Sequence, residues 1–415
     1  MATPDDHALR PLTPADFDAA WALGVEAFGA PPAGSPATPP PAQPRPGRHA
    51  WGTFDADGRL VAKVVGLELA SWFGGVPVPT CGVAGVAVVA ERRGDGLLAD
   101  LFRAVLDEAR ARGEVVSTLY PTAPGIYRRL GYELVGALDQ VELPTAELLR
   151  VRAPAAGPGR VTTRRAPPAD AEADRCVNDR WAAAQHGPLT RRGPLFPETD
   201  EEPFADLTGL TLAVDGDSDS DGDGDGEVLG YAAWRRGEVY DETSTIEVDD
   251  LLATSADAYR ALWRVIGSFS TVTGRVRLST SGDDPARLLL PGGSWKVVGT
   301  HPYALRLLDV ERAFALRPPA GPSAGATELS FTVAGDTLGH LDGDYRLRVA
   351  DGATACERGT ADGPTFTPQG LALAWAGVQS CANLRMLGHL TGPASYDATL
   401  DALLGAGRVH VRDYF

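Results

Sequence analysis

Between positions 93 and 98 the chain reads Arg93-Gly94-Asp95-Gly96-Leu97-Leu98 and turns straight into an apolar-periodic stretch. Main-chain N–H groups at a helix start have no intrahelical partner, and the helix dipole stands behind them. An arginine and two glycines at such a turn therefore make a cradle for an anion, most often a phosphate. A second constellation, Asp217-x-Asp219-x-Asp221-Gly222, opens like a calcium loop. The carboxylate required at its twelfth position is missing: Val228 stands there, and frames shifted by two or four residues bring Gly230 or Ala232. The stretch Asp215 to Glu227 is read instead as a disordered acidic insertion in a hairpin. Cys81, Cys176, Cys356 and Cys381 are scattered, with no C-x-x-C and no histidine at metal spacing, so they are expected to be reduced core residues and no metal site is expected.

The elements that position the turn are legible around it. Val83, Val86, Val88 and Val89 have the β-branched character of a buried strand leading into it. Leu97, Leu98, Leu101, Phe102, Val105, Leu106 and Ala109 recur at helical spacing and give the following helix one apolar face. A second strand, a short helix at Gly125-Ile126-Tyr127 and a third strand complete the unit to Gly136, and Gln140 to Leu143 reads as a closing strand. Upstream, Thr13, Pro14 and Asp16 signal the start of a helix that runs to about Phe28. A proline-rich segment from Ala30 to Arg48 follows, as a passive linker or a flap near a substrate site. Trp51 to Phe54, Leu60 to Glu68 and Val76 to Thr80 read as strands of a meander, turning at Asp57-Gly58 and Gly74-Gly75.

The pattern then restarts. After a linker from Val151 to Arg160, Arg164 to Asp170 echoes Arg10 to Asp16 at an offset of 154 residues. A helix with Val177 and Trp181 comes next, then strands at Thr208 to Val214, Val228 to Trp234 and Ile246 to Leu252, then a helix from Ala256 to Phe269. The turn before that helix has no arginine or glycine and follows Asp249 and Asp250, so the second copy is not expected to bind the anion. From His301 the texture changes. His301 to Val310 enters a helix through Arg317, and strands are expected at Thr327 to Val333, Asp344 to Val349 and Gly370 to Ala376. Helices follow at Cys381 to Leu387 and Asp397 to Leu404, and a strand-like run packs the terminus at Phe415. The fold class is α/β (α+β), divided at 1–150, 160–300 and 301–415.

The net charge of −17 argues against nucleic acid, whose phosphates require a basic footprint, and mildly favours a cationic small molecule. No run of eighteen apolar residues and no signal-peptide pattern is present, so no membrane partner is expected and the chain should stay in the cytoplasm. Two lysines, Lys63 and Lys296, stand against 36 arginines, a bias of GC-rich coding as in actinobacteria.

The turn resembles the pyrophosphate loop R/Q-x-x-G-x-G/A of GNAT-fold N-acetyltransferases, with Arg93 and Gly96 in place and Leu98 where that pattern has a small residue. Thr122 to Tyr132, the repeated half without a loop and the Arg306-Leu307-Leu308-Asp309-Val310 run together resemble the Eis family: two tandem GNAT domains and a sterol-carrier-like C-terminal domain. The resemblance implies acetyl-CoA as co-substrate. Its pantetheine arm would lie on the backbone of Val86, Ala87 and Val88, its pyrophosphate on Arg93, Gly94, Gly96, Leu97 and Leu98, with Thr122 nearby. Tyr127 would be the general acid for the leaving thiolate, and the free carboxylate of Phe415 the general base. A homo-oligomer is implied, hexameric in relatives.

The chemistry is physically reasonable at the acid: a thiol of pKa about 8.5 can be protonated by a phenol of about 10 held beside it. At the base a carboxylate of about 3.5 is mismatched to an ammonium near 10. Electrostatic positioning with proton relay through water is therefore favoured, and Asp413 either adds a second negative charge or is merely an exposed, solvated aspartate. The leading function is acetyl transfer to a primary amine of a cationic small molecule, aminoglycoside- or polyamine-like. The alternatives are a lipid- or small-molecule-binding protein with a relic GNAT site, or a transferase using another acyl-CoA or a protein lysine.

Overall fold

The computed structural model of the chain describes residues 7–30, 45–157, 160–167, 170–196, 207–216, 226–237, 239–282, 284–290, 292–321, 326–405 and 407–415. Most of the proline-rich segment and of the acidic insertion therefore lies outside the described residues. The first unit holds β1 (Ala8–Pro11), α1 (Phe17–Phe28), β2 (Arg48–Phe54), β3 (Leu60–Phe73), β4 (Val76–Val88), α2 (Leu97–Arg112), β5 (Val116–Leu119), α3 (Pro124–Arg128) and β6 (Glu133–Pro144). The two segments expected around Thr80 and Val83 are one strand, β4, and Gln140 to Leu143 is the end of β6 rather than a separate strand. On α2, Leu101, Phe102, Val105, Leu106 and Ala109 are fully buried, which accounts for the apolar face read from the sequence.

The second unit repeats this plan with β7 (Val161–Arg165), α4 (Ala171–Ala183), β8 (Gly209–Asp215), β9 (Val228–Arg236), β10 (Thr245–Ala253), α5 (Ala256–Gly267), β11 (Arg275–Thr280), α6 (Ala286–Leu289) and β12 (Lys296–Leu307). The repeat extends to side chains: Arg10 pairs with Asp16 at 2.7 Å, and Arg164 pairs with Asp170. His301 to Leu307 is thus strand, not the approach to a helix. From Tyr303 to Leu307 it is buried on both faces, including Arg306, so the alternation that marks a half-exposed strand is absent there.

The two units share one sheet. Its order is β1-β2-β3-β4-β5-β12-β6-β11-β10-β9-β8-β7. Strand β12 lies between β5 and β6, with Ala304 opposite Leu119 and Leu305 opposite Glu133, while β6 goes on to pair with β11. The last strand of each unit is therefore embedded beside the other unit.

The third unit carries α7 (Val310–Leu316), β13 (Thr327–Val333), β14 (Gly343–Ala350), β15 (Ala353–Arg358), β16 (Thr365–Phe366), α8 (Pro368–Ala376), α9 (Cys381–Met386), β17 (Leu390–Thr391) and α10 (Asp397–Leu404). Gly370 to Ala376, expected as a strand, is helix α8. Thr367 caps it by accepting from the Gly370 amide, and Pro368 fills its first turn. It is apolar all round because it is buried all round, against this unit's own sheet and against β6 and β12. Trp375 packs on Phe73 of β3 with ring centroids 4.6 Å apart, so the core of the third unit is continuous with the large sheet. The run from Val409 to Phe415 is packed without being a strand: Val409 and Val411 are buried, yet the segment has irregular backbone. All four cysteines are free, but only Cys81 and Cys381 are buried; Cys176 is exposed and Cys356 half-buried, against the expectation of four core residues.

Candidate active site

Strands β4 and β5 run parallel and pair only from Thr80 and Val116 to Gly82 and Thr118. Beyond Gly82 they part, and β4 continues paired on one side alone, with β3. A bulge opens there: Ala84 faces Val65 and Ala87 faces Lys63, with Gly85 at φ +58° absorbing the extra residue. Val86, Ala87 and Val88 thus present an unpaired strand edge to the gap. Such an edge can exchange main-chain hydrogen bonds with an extended amide chain.

The turn that follows places Gly94 at φ +95° and Gly96 at φ +84°, backbone conformations a side chain resists. Among the described residues the amides of Gly94, Gly96, Leu97 and Leu98 have no protein acceptor. Sixteen-residue α2 adds its dipole behind them. Asp95 does not spoil the cradle, because Arg92 Nε donates to its carboxylate at 2.6 Å. Arg93 is exposed at the rim, its Nε reaching the Val88 carbonyl at 3.4 Å. Val86, Ala87, Val88, Arg93, Gly94, Gly96, Leu97, Leu98, Thr122 and Tyr127 all line one cavity of about 660 Å³. Residues not singled out in the sequence also line it, among them Phe28, Arg92, Ile126, Arg129, Leu130 and Thr337. Arg92 stands next to an arginine already singled out; Thr337 has no local signal at all, since it arrives from the third unit.

Tyr127 sits on α3, a helix of five residues that begins at Pro124. One turn of helix does not hold itself. Here the carbonyls at its C-terminal end each receive a donor from far along the chain. Gln369 Nε2 donates to Arg128 at 2.6 Å, Thr337 Oγ1 to Arg129 at 2.7 Å and Arg306 Nη1 to Leu130 at 2.6 Å. Arg306 is itself fully buried and paired with Asp336 through two contacts of 2.9 Å. Gly131, at φ +84°, is required where the chain leaves α3, since a Cβ there would overlap Arg306 Nη1. The Tyr127 ring packs edge-on against Phe102 at 5.9 Å and Tyr132 at 6.5 Å. Its hydroxyl has no protein partner among the described residues, and burial pushes its pKa up, so it is protonated near neutrality.

Phe415 does not line this cavity. It packs with Leu67, Leu69 and Leu189 on the face of β3 and β4 opposite α2. A Cβ on Gly82 would come within 3.0 Å of its ring. Gly82 is the last β4 residue paired with β5, so the chain end is seated where the two strands part. Tyr120, one residue past β5, holds the end there: its hydroxyl donates to the Asp413 carbonyl at 2.7 Å, and its ring lies 4.5 Å from Tyr414 and 5.5 Å from Phe415. Asp413 is not the exposed, solvated aspartate entertained above. Arg191 Nε donates to it at 2.9 Å, and the same guanidinium reaches Asp250 at 2.8 Å. Asp250 also accepts from the Tyr231 hydroxyl at 2.6 Å.

Similarity to known proteins follows the same division. Residues 8–135 match the acetyltransferase (GNAT) domain, residues 221–307 a second acetyltransferase (GNAT) domain, and residues 310–412 the sterol carrier protein domain. The chain is 30% identical to an uncharacterized N-acetyltransferase of Streptomyces avermitilis, over 100% of both chains. It is 28% identical to the N-acetyltransferase Eis of Mycobacterium tuberculosis, covering 68% of this chain and 67% of that one. A GCN5-related N-acetyltransferase from Kribbella flavida superposes with a TM-score of 0.80 at 27% identity, over 99% of each chain. Eis1 from Mycobacterium abscessus shares the fold, with a TM-score of 0.74 at 22% identity over 99% of this chain and 100% of that one.

Proposed function

Since the chain belongs to the Eis-type GNAT N-acetyltransferases, we propose that its acceptor is a primary amine of a cationic small molecule, aminoglycoside- or polyamine-like. The GNAT fold implies acetyl-CoA as co-substrate, and the cavity beside β4 fits it by two features: an unpaired strand edge for an amide arm and four unpartnered amides for a pyrophosphate. Acetyl-CoA, when bound, supplies an acetyl group activated as a thioester. Val86 to Val88 hold its arm, and Arg93 with the amides from Gly94 to Leu98 holds its phosphates. Thr122 stands at the wall of the cavity.

Tyr127 gives its phenolic proton to the sulfur as the carbon–sulfur bond breaks and the amine nitrogen bonds to the acetyl carbon. The Phe415 carboxylate attracts the ammonium form of the acceptor and orients it, and the amine's protons leave through it and water to solvent. The reading is carried by the seating of the chain end on Gly82, where β4 and β5 part, with the cavity opening beside the same strands. A negative terminus, in a chain of net charge −17, suits a cationic acceptor. We further expect a homo-oligomer in the cytoplasm. A lipid-binding protein with a relic site is set aside, because the chain is a GNAT-family enzyme; the remaining alternatives are another acyl-CoA or a protein lysine.

The test is thiol release from acetyl-CoA across aminoglycosides, polyamines, arylamines and a lysine peptide, with longer acyl-CoA donors in parallel. Turnover with cationic amines above the other acceptors is the expected result. A preference for arylamines or for the peptide would overturn the acceptor assignment.

A further inference from the structure

The parting of strands occurs twice. In the second unit β10 and β11 pair in parallel from Thr245 and Arg275 to Val248 and Leu278, and then separate. Strand β10 bulges at Asp249, between the pairs Val248 with Trp234 and Asp250 with Ala233, as β4 bulges at Gly85. A cavity of about 510 Å³ opens beside the end of β10 and the start of α5, the counterpart of the cavity beside β4. No positive-φ residue is found in the turn into α5, whose N-cap Ser255 instead accepts from the Ala258 amide. Two side chains of the C-terminal tail, His410 and Arg412, line this second cavity.

The tail is held there by a set of contacts with little freedom. Arg412 reaches Asp284 at 3.1 Å and the Ser279 carbonyl at 3.2 Å, and its guanidinium lies 5.2 Å from the Trp181 ring. The Arg412 and Asp284 side chains are 4% and 3% exposed. Asp284 is further fixed by the Tyr259 hydroxyl, the Thr280 hydroxyl and the Ala286 amide. The Val411 amide donates to Ser281 Oγ at 2.7 Å, and the His410 amide to the His186 carbonyl at 2.7 Å. Gly187 and Gly282 are bare where the tail crosses them: a Cβ on either would come within 2.5 Å of Val409 or His410. A buried ion pair is weak as a source of stability, since desolvation offsets most of the attraction, but it fixes register. Two residues, Asp413 and Tyr414, separate Arg412 from Phe415, and three chain steps span at most about 10 Å, so the place of Arg412 confines the place of the terminal carboxylate.

We infer that the strand parting of the second unit is the socket for the chain's own C-terminal tail, and that Arg412 is a positioning residue which sets the Phe415 carboxylate at the acceptor site. The inference rests on the role proposed above for that carboxylate. It gives the second acetyltransferase unit a task in catalysis that needs no second cofactor.

The test is a cycle on the full-length enzyme with Arg412→Met, Arg412→Lys, Ser281→Ala and deletion of Phe415, alone and combined. Acetyl-CoA affinity is followed by calorimetry, and rates are followed from neutral to alkaline pH, where a free amine supports residual turnover. Arg412→Met should lower kcat by about 10- to 100-fold, the scale of a misplacement near 1 Å. Acetyl-CoA affinity should hold within about twofold. The acid limb of the rate profile should move toward the pKa of the free amine, and Arg412→Lys should restore part of the rate. In the background lacking Phe415, Arg412→Met should cost nothing further. Wild-type kcat for both Arg412→Met and Ser281→Ala, with Phe415 deletion inactive, would overturn the socket and leave the carboxylate's role standing. An equal loss in the deleted background would overturn it too, by showing that Arg412 does not act through the chain end. Full activity after Phe415 deletion alone would instead remove the premise, and with it the inference. Should Arg412→Met not fold, Ser281→Ala carries the same cycle.

Discussion

Breaking the Arg306–Asp336 pair from its two ends should give unequal results. Both side chains are fully buried. With Arg306→Met the Asp336 carboxylate keeps three main-chain donors, the amides of Leu338, His340 and Leu341, at 3.2, 2.7 and 2.9 Å. The loss should then fall near the lower end for a broken buried pair, about 3 kcal/mol. With Asp336→Leu those three amides lose their acceptor, and the Arg306 guanidinium is left on the Leu130 carbonyl and a 3.5 Å approach to His340, its Nε already without a partner among the described residues. That loss should reach about 5 kcal/mol or more. At roughly 2–4 °C per kcal/mol for a large domain, Arg306→Met should lower Tm by roughly 6–12 °C and Asp336→Leu by more.

Differential scanning calorimetry near neutral pH measures both. The pH dependence has a fixed sign. Burial works against the Asp336 carboxylate, but Arg306 and the amides hold its pKa below the usual range. The part of its contribution that rests on the charge is therefore complete above the unfolded value, about 3.9, and is lost as pH falls through the lower folded value, so the gap between wild type and Asp336→Leu should narrow there. Arg306→Met also removes the donor on the last carbonyl beside α3, so kcat should fall more than acetyl-CoA affinity. The reverse order of the two losses, or a loss below about 1 kcal/mol for both, would refute the reasoning.

Tyr127→Phe should lower kcat by about 10²- to 10⁴-fold with acetyl-CoA affinity unchanged, as read by single-turnover kinetics and calorimetry; an unchanged kcat excludes the phenol as the acid. Extension of the chain beyond Phe415 should abolish turnover and spare cofactor binding, and wild-type rates from a C-terminally tagged enzyme would contradict this. Gly96→Ala has open space around its Cβ but keeps φ at +84°, so only strain enters, about 1–2 kcal/mol, and acetyl-CoA affinity should weaken roughly tenfold. Glu114 is pushed up to about 7 by burial, against its ion pair with Arg112. Because the folded state holds that proton more tightly than the unfolded chain, stability falls as pH rises between the two values. Glu114→Gln should therefore raise Tm near pH 8 and change little near pH 5; an equal shift at both would show that the carboxyl does not titrate in this window.

What the sequence disclosed is local chemistry. The strand, glycine turn and helix from Val83 to Ala109 were legible because their signals are β-branching, positive-φ glycines and one apolar face within a single stretch. Gly370 to Ala376 misled because burial on every side erases both the two-residue and the 3.6-residue period. Thr367 and Pro368, a cap and a first-turn proline, were the better signal there. His301 to Leu307 hid its strand for a related reason, since Arg306 is an arginine in a core position whose partner Asp336 lies 30 residues on. The interleaving of β6 and β12 has no local trace, because pairing between strands so distant in sequence is decided by the whole sheet. The role assigned to Phe415 came from family resemblance, and the glycines that admit the tail, Gly82, Gly187 and Gly282, look like ordinary loop or strand glycines until the tail is placed on them.

The proposed acid and base share a weakness that accounts for the rest of the chain. Tyr127 is carried by a helix of five residues and the carboxylate by an irregular chain end, and neither kind of element keeps a fixed geometry alone. Each is held by contacts from the later units. Gln369, Thr337 and Arg306 fasten α3 from the third unit and from the strand that leads into it. Asp284, Ser279 and Ser281 hold the tail from the second, before Tyr120 receives it in the first. The cofactor-type cavity, by contrast, is lined almost entirely by the first unit, most of it by the end of β4, the turn after it and the start of sixteen-residue α2. On the proposed mechanism, binding of the co-substrate is expected to ask little of the later units, and the proton transfers assigned to Tyr127 and Phe415 are expected to depend on them. The first unit lines the cavity, and the other two hold α3 and the chain end, the two elements that carry the proposed acid and base.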